Sequence, residues 1–301
     1  MEQTALMAAL GTFDGVHRGH TFIIDELKRQ AKATGLTPAI VTFSSHPLAT
    51  IRPEMVPELL TPLPCKVALL NRLARTIVLD FDGSLRCMSA LDFMTMLREG
   101  YNVRAMMLGY DTRFGHDRPA AFADYAALGS KAGIDILQAG EYTGTDSPVS
   151  SSRIRAALRN GEIALANRML GRRYSLAGTV TGGKQLGRTI GYPTANIEPE
   201  CGRQLIPGGG VYAVLARIEG YATLFPAMLN IGTRPTVDGS PDARRTIEVH
   251  ILDFDGDLYG KRVEIEFVAR LRDERRFSSL DELKAQLGRD AEATRSCLGI
   301  C

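Results

Sequence analysis

The residues best suited to chemistry near the start of the chain are Gly11-Thr-Phe13-Asp-Gly-Val-His17-Arg-Gly19-His20, which close a short apolar run and open a helix-like stretch. At a strand-to-helix junction the free N–H groups and the positive dipole end of the helix favour phosphate. Gly11, Gly15 and Gly19 carry no side chains, so the backbone there can approach a nucleotide closely. His17 and His20 are three apart and share a face at the helix start. Two imidazoles so placed can donate to the α- and β-phosphates as negative charge builds between them. The competing reading is a glycine-rich turn with two histidines facing solvent. Zinc is a poor fit, because no Cys or further His lies at ligand spacing.

Four other segments carry usable groups. In Ser150-Ser151-Ser152-Arg-Ile-Arg155 the serines can cap a helix whose first turn holds Arg155, and a guanidinium there suits a pyrophosphate leaving group. Taken alone, the same residues describe an ordinary capped helix. Leu108-Gly-Tyr-Asp111-Thr-Arg-Phe-Gly-His-Asp-Arg118 follows a strand-like run, and open parallel sheets bind ligands at that end. Asp111 and Arg118 are therefore placed to meet a substrate, with a charged surface loop as the alternative.

In the second half, Gly182-Gly-Lys184-Gln-Leu-Gly187-Arg-Thr-Ile-Gly-Tyr-Pro193-Thr194-Ala-Asn196 offers a flexible loop for phosphate without the Walker-type Gly-x-x-x-x-Gly-Lys-Ser/Thr pattern. In an extended segment Thr194 and Asn196 point to the same side. Their oxygens can share one Mg²⁺ that is completed by phosphates and water. A β-turn with polar surface residues is the other reading. In Thr246-Ile-Glu248-Val-His250-Ile, alternation puts Glu248 and His250 on one face and Ile247, Val249 and Ile251 on the other. Glu248 is either a general base for an alcohol or part of a solvated strand face, and alternation alone does not separate these.

The elements that must position these groups divide the chain in two. Apolar runs at 5–10, 38–43, 75–81 and 103–108 alternate with helical stretches such as 20–33 and 89–98, which predicts βαβ units and a doubly wound parallel sheet. Residues 154–170 read as two helices parted near Gly161. From Tyr174 onward, strand-like runs at 175–181, 211–219, 226–231, 246–253 and 262–269 are spaced by Gly, Pro and Asp, which suggests an antiparallel barrel or sandwich. Asp255-Gly256 predicts a tight hairpin between the last two runs. Ser279 and Glu282 form a capping box for a closing helix carrying Leu283, Leu287 and Ala291. The boundary is expected near 171–174, giving domains 1–171 and 172–301.

Thirty-six basic and 34 acidic residues leave a net charge of +2. That balance argues against a bulk electrostatic role on nucleic acid or an anionic membrane. Five cysteines without CxxC spacing do not read as a disulfide framework or a zinc site. With no leader or membrane span evident, the cytoplasm is the expected compartment. Two patterns mislead. Gly208-x-Gly210-x-x-Ala213 precedes a strand where a dinucleotide fingerprint needs a helix. Asp253, Asp255, Asp257 and Glu264 mimic a calcium loop, but Leu258 stands where glycine is required.

The segments 11–20, 108–118 and 150–155, in that chain order, resemble the adenylyltransferase half of bacterial bifunctional riboflavin kinase/FAD synthetases. The likeness spans about residues 4–168. GRxxGxPTAN, PGGGVYAV, NIGTRPT, EVHILDF, DLYG and the 271–277 stretch LRDERRF together resemble that family's riboflavin kinase half, from Tyr174 to the C-terminus. The resemblance implies a nucleotidyltransferase domain followed by a six-stranded kinase barrel with a C-terminal helix. It implies riboflavin, FMN and ATP as small-molecule substrates, FMN and FAD as products, and Mg²⁺ held by Thr194 and Asn196.

By the same resemblance, Gly11, Phe13, Gly19, Ser151, Ser152, Gly182, Lys184 and Gly187 meet ATP. Asp111, Arg118, Arg272 and Phe277 meet flavin, and His17, His20, Arg155 and Glu248 are catalytic. The chain departs from the family pattern at Ser45, Thr112 and Ala120, near the flavin-facing loops. Two rivals stand beside this reading: a chain in which only the kinase works, and a non-catalytic flavin sensor.

Overall fold

A computed structural model describes residues 4–110, 112–144, 147–182, 190–233 and 245–300. The chain parts into two compact units, Met1–Ser151 and Ser152–Cys301.

In the first unit, β1 (Leu6–Leu10), β2 (Thr37–Phe43), β3 (Arg75–Leu79), β4 (Val103–Leu108) and β5 (Asp135–Gln138) form a sheet in the order β3-β2-β1-β4-β5, with every neighbouring pair parallel. Central β1 is buried at all five positions. Leu6, Ala8 and Leu10 belong to one core, and Met7 and Ala9 to another on the opposite face. A strand covered on both faces reads as an unbroken apolar run for that reason.

Helix α1 (Arg18–Thr34) brings Ile24, Leu27 and Ala31 to the Met7 face. It ends at Gly35, whose φ of 72° is the left-handed cap that glycine adopts without strain. Short α2 (Leu48–Ile51), then α3 (Leu63–Asn71) and α4 (Gly83–Cys87), follow β2 and β3. Helix α5 (Ala90–Tyr101) packs Phe93, Met94 and Leu97 on the other face, and its start is fixed by a Ser89–Asp92 capping box. Helix α6 (Phe122–Ala132) precedes β5, a short, half-exposed strand that the periodicity did not announce.

The second unit opens with α7 (Ser151–Arg159) and α8 (Ile163–Leu170), parted at Gly161 with φ 74°. By compactness these helices group with the strands that follow. Asn167 Nδ2 donates to the Phe267 carbonyl at 2.9 Å, and the Gly208 N–H donates to the Leu158 carbonyl at 2.9 Å.

Strands β6 (Ser175–Thr181), β7 (Ala195–Pro199), β8 (Gly210–Ile218), β9 (Leu224–Thr233), β10 (Arg245–Ile251) and β11 (Arg262–Arg272) close a barrel in the order β10-β7-β6-β11-β8-β9. Closure leaves no unpaired sheet edge. The expected Asp255-Gly256 hairpin is not formed. β10 pairs with β7 and β9, and β11 with β6 and β8, so the two strands are not neighbours and a longer crossing connects them. The local turn signal was overridden by barrel order.

Helix α9 (Leu280–Leu298) ends the chain. Ser279 accepts from the Glu282 N–H as expected, but the Glu282 carboxylate accepts from Ser278, one residue earlier than a reciprocal box requires.

Candidate active sites

The strand order reverses between β1 and β4, so the loops leaving their carboxyl ends diverge and open a crevice. A cavity of about 820 Å³ lies there, lined by Gly11, Phe13, His17, Gly19 and His20 from the first loop, and by Tyr110, Thr112, Phe114 and Arg118 from the second. Ser150 and Ser151 also line it. Asp111 lies outside the described residues. Of the departures from the family pattern, Thr112 lines the cavity, while Ser45 and Ala120 are exposed.

His17 is 5% exposed and serves as the N-cap of α1, its Nδ1 accepting the His20 N–H at 3.3 Å. That bond leaves the proton of the neutral ring on Nε2. The His20 ring stacks on His17 at 3.6 Å between centroids and meets Phe13 edge-on at 5.1 Å. A Cβ on Gly19 would lie 3.3 Å from the His17 ring, so glycine lets the two pack. Gly15, at φ 87°, takes left-handed backbone freely, but Phe13 and Val16 are held in it with φ of 49° and 40°, which strains a residue that carries a Cβ. Such strain persists only where the surroundings hold it.

The surroundings here are polar and buried. The Asp14 carboxylate, 4% exposed, accepts the N–H groups of Leu60 (3.0 and 3.1 Å) and Thr61 (3.0 Å). The Asp14 carbonyl accepts from the Ser151 hydroxyl at 2.8 Å. Lys66 on α3, 8% exposed, donates to the carbonyls of Thr12 at 3.1 Å and Phe43 at 2.9 Å. Burial pushes its ammonium below the usual lysine value, and the Asp14 charge pulls it part of the way back. Sequence reading missed Lys66, the one charged residue of α3, because no motif marks it. Ser152 is exposed at the start of α7, and Arg155 is 6% exposed within that helix, in the second compact unit.

In the barrel, a cavity of about 410 Å³ is lined by Thr194 and Asn196 next to and on β7, and by Glu248 and His250 on β10. Arg272 and Phe277 line it as well, and Leu283, Leu287 and Asp290 of α9 close one side. Ala195 and Ile197 are buried while Thr194 and Asn196 are half-buried, so the two polar residues share the cavity side. Glu248 sits directly opposite Asn196 in the β10–β7 ladder and opposite Asn230 in the β10–β9 ladder. Ile247, Val249 and Ile251 alternate with it and are buried. The donor set of hydroxyl, amide and carboxylate oxygens is hard and suits Mg²⁺. Among the described residues no cluster of three His, Cys, Asp or Glu offers a rival metal site.

His250 Nδ1 lies 2.7 Å from the Pro193 carbonyl, one residue before Thr194, and its ring meets Tyr192 edge-on at 5.3 Å. Burial holds this imidazole below its ordinary value, against the pull of the carbonyl and of Asp253. Arg272 is bound two ways to Asp290, at 2.7 to 3.1 Å, and it donates to the Asp273 carbonyl at 2.9 Å. Its guanidinium also lies over the Phe277 ring at 5.8 Å. Asp290, 3% exposed, also accepts from Gln286 at 2.8 Å. An acid three residues after Leu287, on the helix face that should be apolar, was the signal that could have found this pair. Gly182 is exposed and does not line the cavity, and Lys184 and Gly187 lie outside the described residues.

Comparison with known proteins gives two family matches, FAD synthetase over residues 1–153 and riboflavin kinase over residues 170–298. The bifunctional riboflavin kinase/FMN adenylyltransferase of Escherichia coli K12 is 36% identical over 99% of this chain and 94% of its own length. That of Pseudomonas fluorescens is 37% identical over 98% and 94%, and that of Bacillus subtilis 35% over 97% and 92%. A crystal structure titled macrolide-efflux protein, from Streptococcus pneumoniae, superposes with a TM-score of 0.86 at 29% identity, covering 98% of this chain and 95% of that one. Among the described residues here, no helix is long and apolar enough to cross a membrane.

Proposed function

The chain belongs to the bifunctional riboflavin kinase/FMN adenylyltransferase family, and from that premise we propose how its two reactions are divided between its two cavities. It phosphorylates riboflavin to FMN with ATP, then adenylylates FMN to FAD with release of pyrophosphate. We assign adenylyl transfer to residues 1–171 and the kinase to residues 172–301, in the cytoplasm. One observation supports the division above others. Among the described residues, all those lining the first cavity fall within the FAD synthetase match, all those lining the second fall within the riboflavin kinase match, and the two linings share none.

In the first cavity the FMN phosphate attacks the α-phosphorus of ATP without a covalent enzyme intermediate, so the protein's work is positioning and neutralising charge. The Nε2–H of His17 and the His20 ring donate to the phosphate oxygens as charge builds. The N–H groups at the start of α1 add the helix dipole. Gly11, Phe13, Gly19 and Ser151, which line the cavity, contact ATP. Asp111 and Arg118 meet the flavin.

In the second cavity Glu248 accepts the proton of the ribityl 5′-hydroxyl as that oxygen attacks the γ-phosphorus of ATP, and the bond from that phosphorus to the bridging oxygen breaks to release ADP. Thr194 and Asn196 would hold Mg²⁺, which would supply neutralisation of phosphate charge. Phe277, with Leu283 and Leu287, packs against the isoalloxazine. Arg272 flanks the flavin.

Product chromatography after incubation with riboflavin, ATP and Mg²⁺ tests the whole scheme. FMN should appear first and FAD follow, and omission of Mg²⁺ should suppress the kinase step. FMN that never proceeds to FAD leaves a kinase alone, and flavin bound without either product leaves a sensor.

A further inference from the structure

The strained turn at 13–16 does not hold itself. Two hydrogen bonds converge on the Thr12 carbonyl, from Lys66 Nζ and from the Thr42 hydroxyl, each at 3.1 Å. Lys66 bonds at the same time to the Phe43 carbonyl at the end of the neighbouring strand. The residues that lead into α3 are tied back to the same turn, since the N–H groups of Leu60 and Thr61 donate to the Asp14 carboxylate. Turn and helix thus form one hydrogen-bonded ring, and Lys66 is the member that carries a buried positive charge.

An aliphatic side chain would fill the place of Lys66 beside buried Leu70 without the cost of desolvating an ammonium. What the ammonium adds is fixation and polarisation. Donors on a peptide carbonyl strengthen the N–H of the same peptide as a donor. The peptide in question joins Thr12 to Phe13, and both residues line the cavity.

We propose that Lys66 is a positioning residue for adenylyl transfer: it ties the Thr12 and Phe43 carbonyls together, fixes the turn that leads to His17, and polarises the Thr12–Phe13 peptide toward the phosphates of ATP. This rests on the assignment of adenylyl transfer to the first cavity. Lys66 touches no substrate. It acts through the backbone, so its loss falls on ATP and not on FMN or on the kinase.

The test compares Lys66→Met, Lys66→Gln and His20→Ala in the full chain, with both activities measured on each preparation. Lys66→Met should raise the KM for ATP in FMN adenylylation about tenfold or more, with a matching or larger fall in kcat/KM. The KM for FMN and the kinase constants should stay within about twofold of the parent. Lys66→Gln keeps a donor but loses the charge and should fall between, and it decides the question where Lys66→Met yields no folded protein. A purely structural role would lower the active fraction, which reduces kcat and leaves both KM values alone. That pattern, or an unchanged KM for ATP in both Lys66 variants, overturns the proposal. If His20→Ala also retained full FAD synthesis, the assignment of the first cavity would fail instead.

Discussion

Asp290→Ala is the substitution whose cost can be worked most directly from the structure. The wild-type carboxylate is 3% exposed and takes three contacts from Arg272 at 2.7 to 3.1 Å, plus one from Gln286 at 2.8 Å. Removing one partner of a buried pair costs about 3–5 kcal/mol, because the other charge is left uncompensated. The Arg272 side chain is 20% exposed, so water recovers part of this, and about 3 kcal/mol is a fair expectation once the lost Gln286 bond is included. For a unit the size of Ser152–Cys301 that corresponds to about 6–12 °C in Tm. Scanning calorimetry should find the loss in the transition that follows kinase activity. The double variant Arg272→Met/Asp290→Leu should regain most of it, since no charge is then stranded. A single variant melting within about 2 °C of the parent would refute the reasoning.

Three further outcomes follow from the same geometry. Glu248→Gln should lower FMN formation by about 10²–10⁴-fold while FMN-to-FAD conversion is unchanged, as activity assays on each step would register. Because the folded His250 imidazole is held below its ordinary value near 6.5, mainly by burial, the unfolded chain binds the proton first as the pH falls. Stability therefore rises with pH across that window, and the parent should lose more stability between about pH 7 and pH 5 than His250→Gln does in denaturant titrations. Gly15→Ala places a Cβ at φ 87° in a buried turn and should cost about 1–3 kcal/mol, with FAD synthesis falling more than kinase activity.

Much of the site was legible because its chemistry is local. Gly11, His17, Gly19 and His20 lie within one turn and one helix start, so residue type and spacing place them on a common cavity. Glu248 was readable on a strand face and Thr194 and Asn196 on one side of an extended segment, but alternation announced neither β7 as a strand nor its place beside β10. Only the ladder that sets Glu248 opposite Asn196 joins them. What was missed depends on partners distant in sequence. Lys66 meets Thr12 and Phe43 across a helix and two strands, and Asp290 meets Arg272 from another element. β5 was invisible because it is a short, half-exposed edge strand with little apolar pattern. The Asp255-Gly256 signal failed for the opposite reason, since a good local turn cannot choose which strands of a closed barrel adjoin.

The separation of the two reactions is tested most directly by mixing two disabled chains. His20→Ala and Glu248→Ala are each given riboflavin, ATP and Mg²⁺, alone and together, and FAD is measured. Each alone should fail, one stopping at FMN and the other making nothing, whereas the mixture should form FAD because FMN released by one chain is adenylylated by the other. If both variants are folded and the mixture makes no FAD, or if either variant loses both activities, the assignment of one reaction to each cavity is wrong.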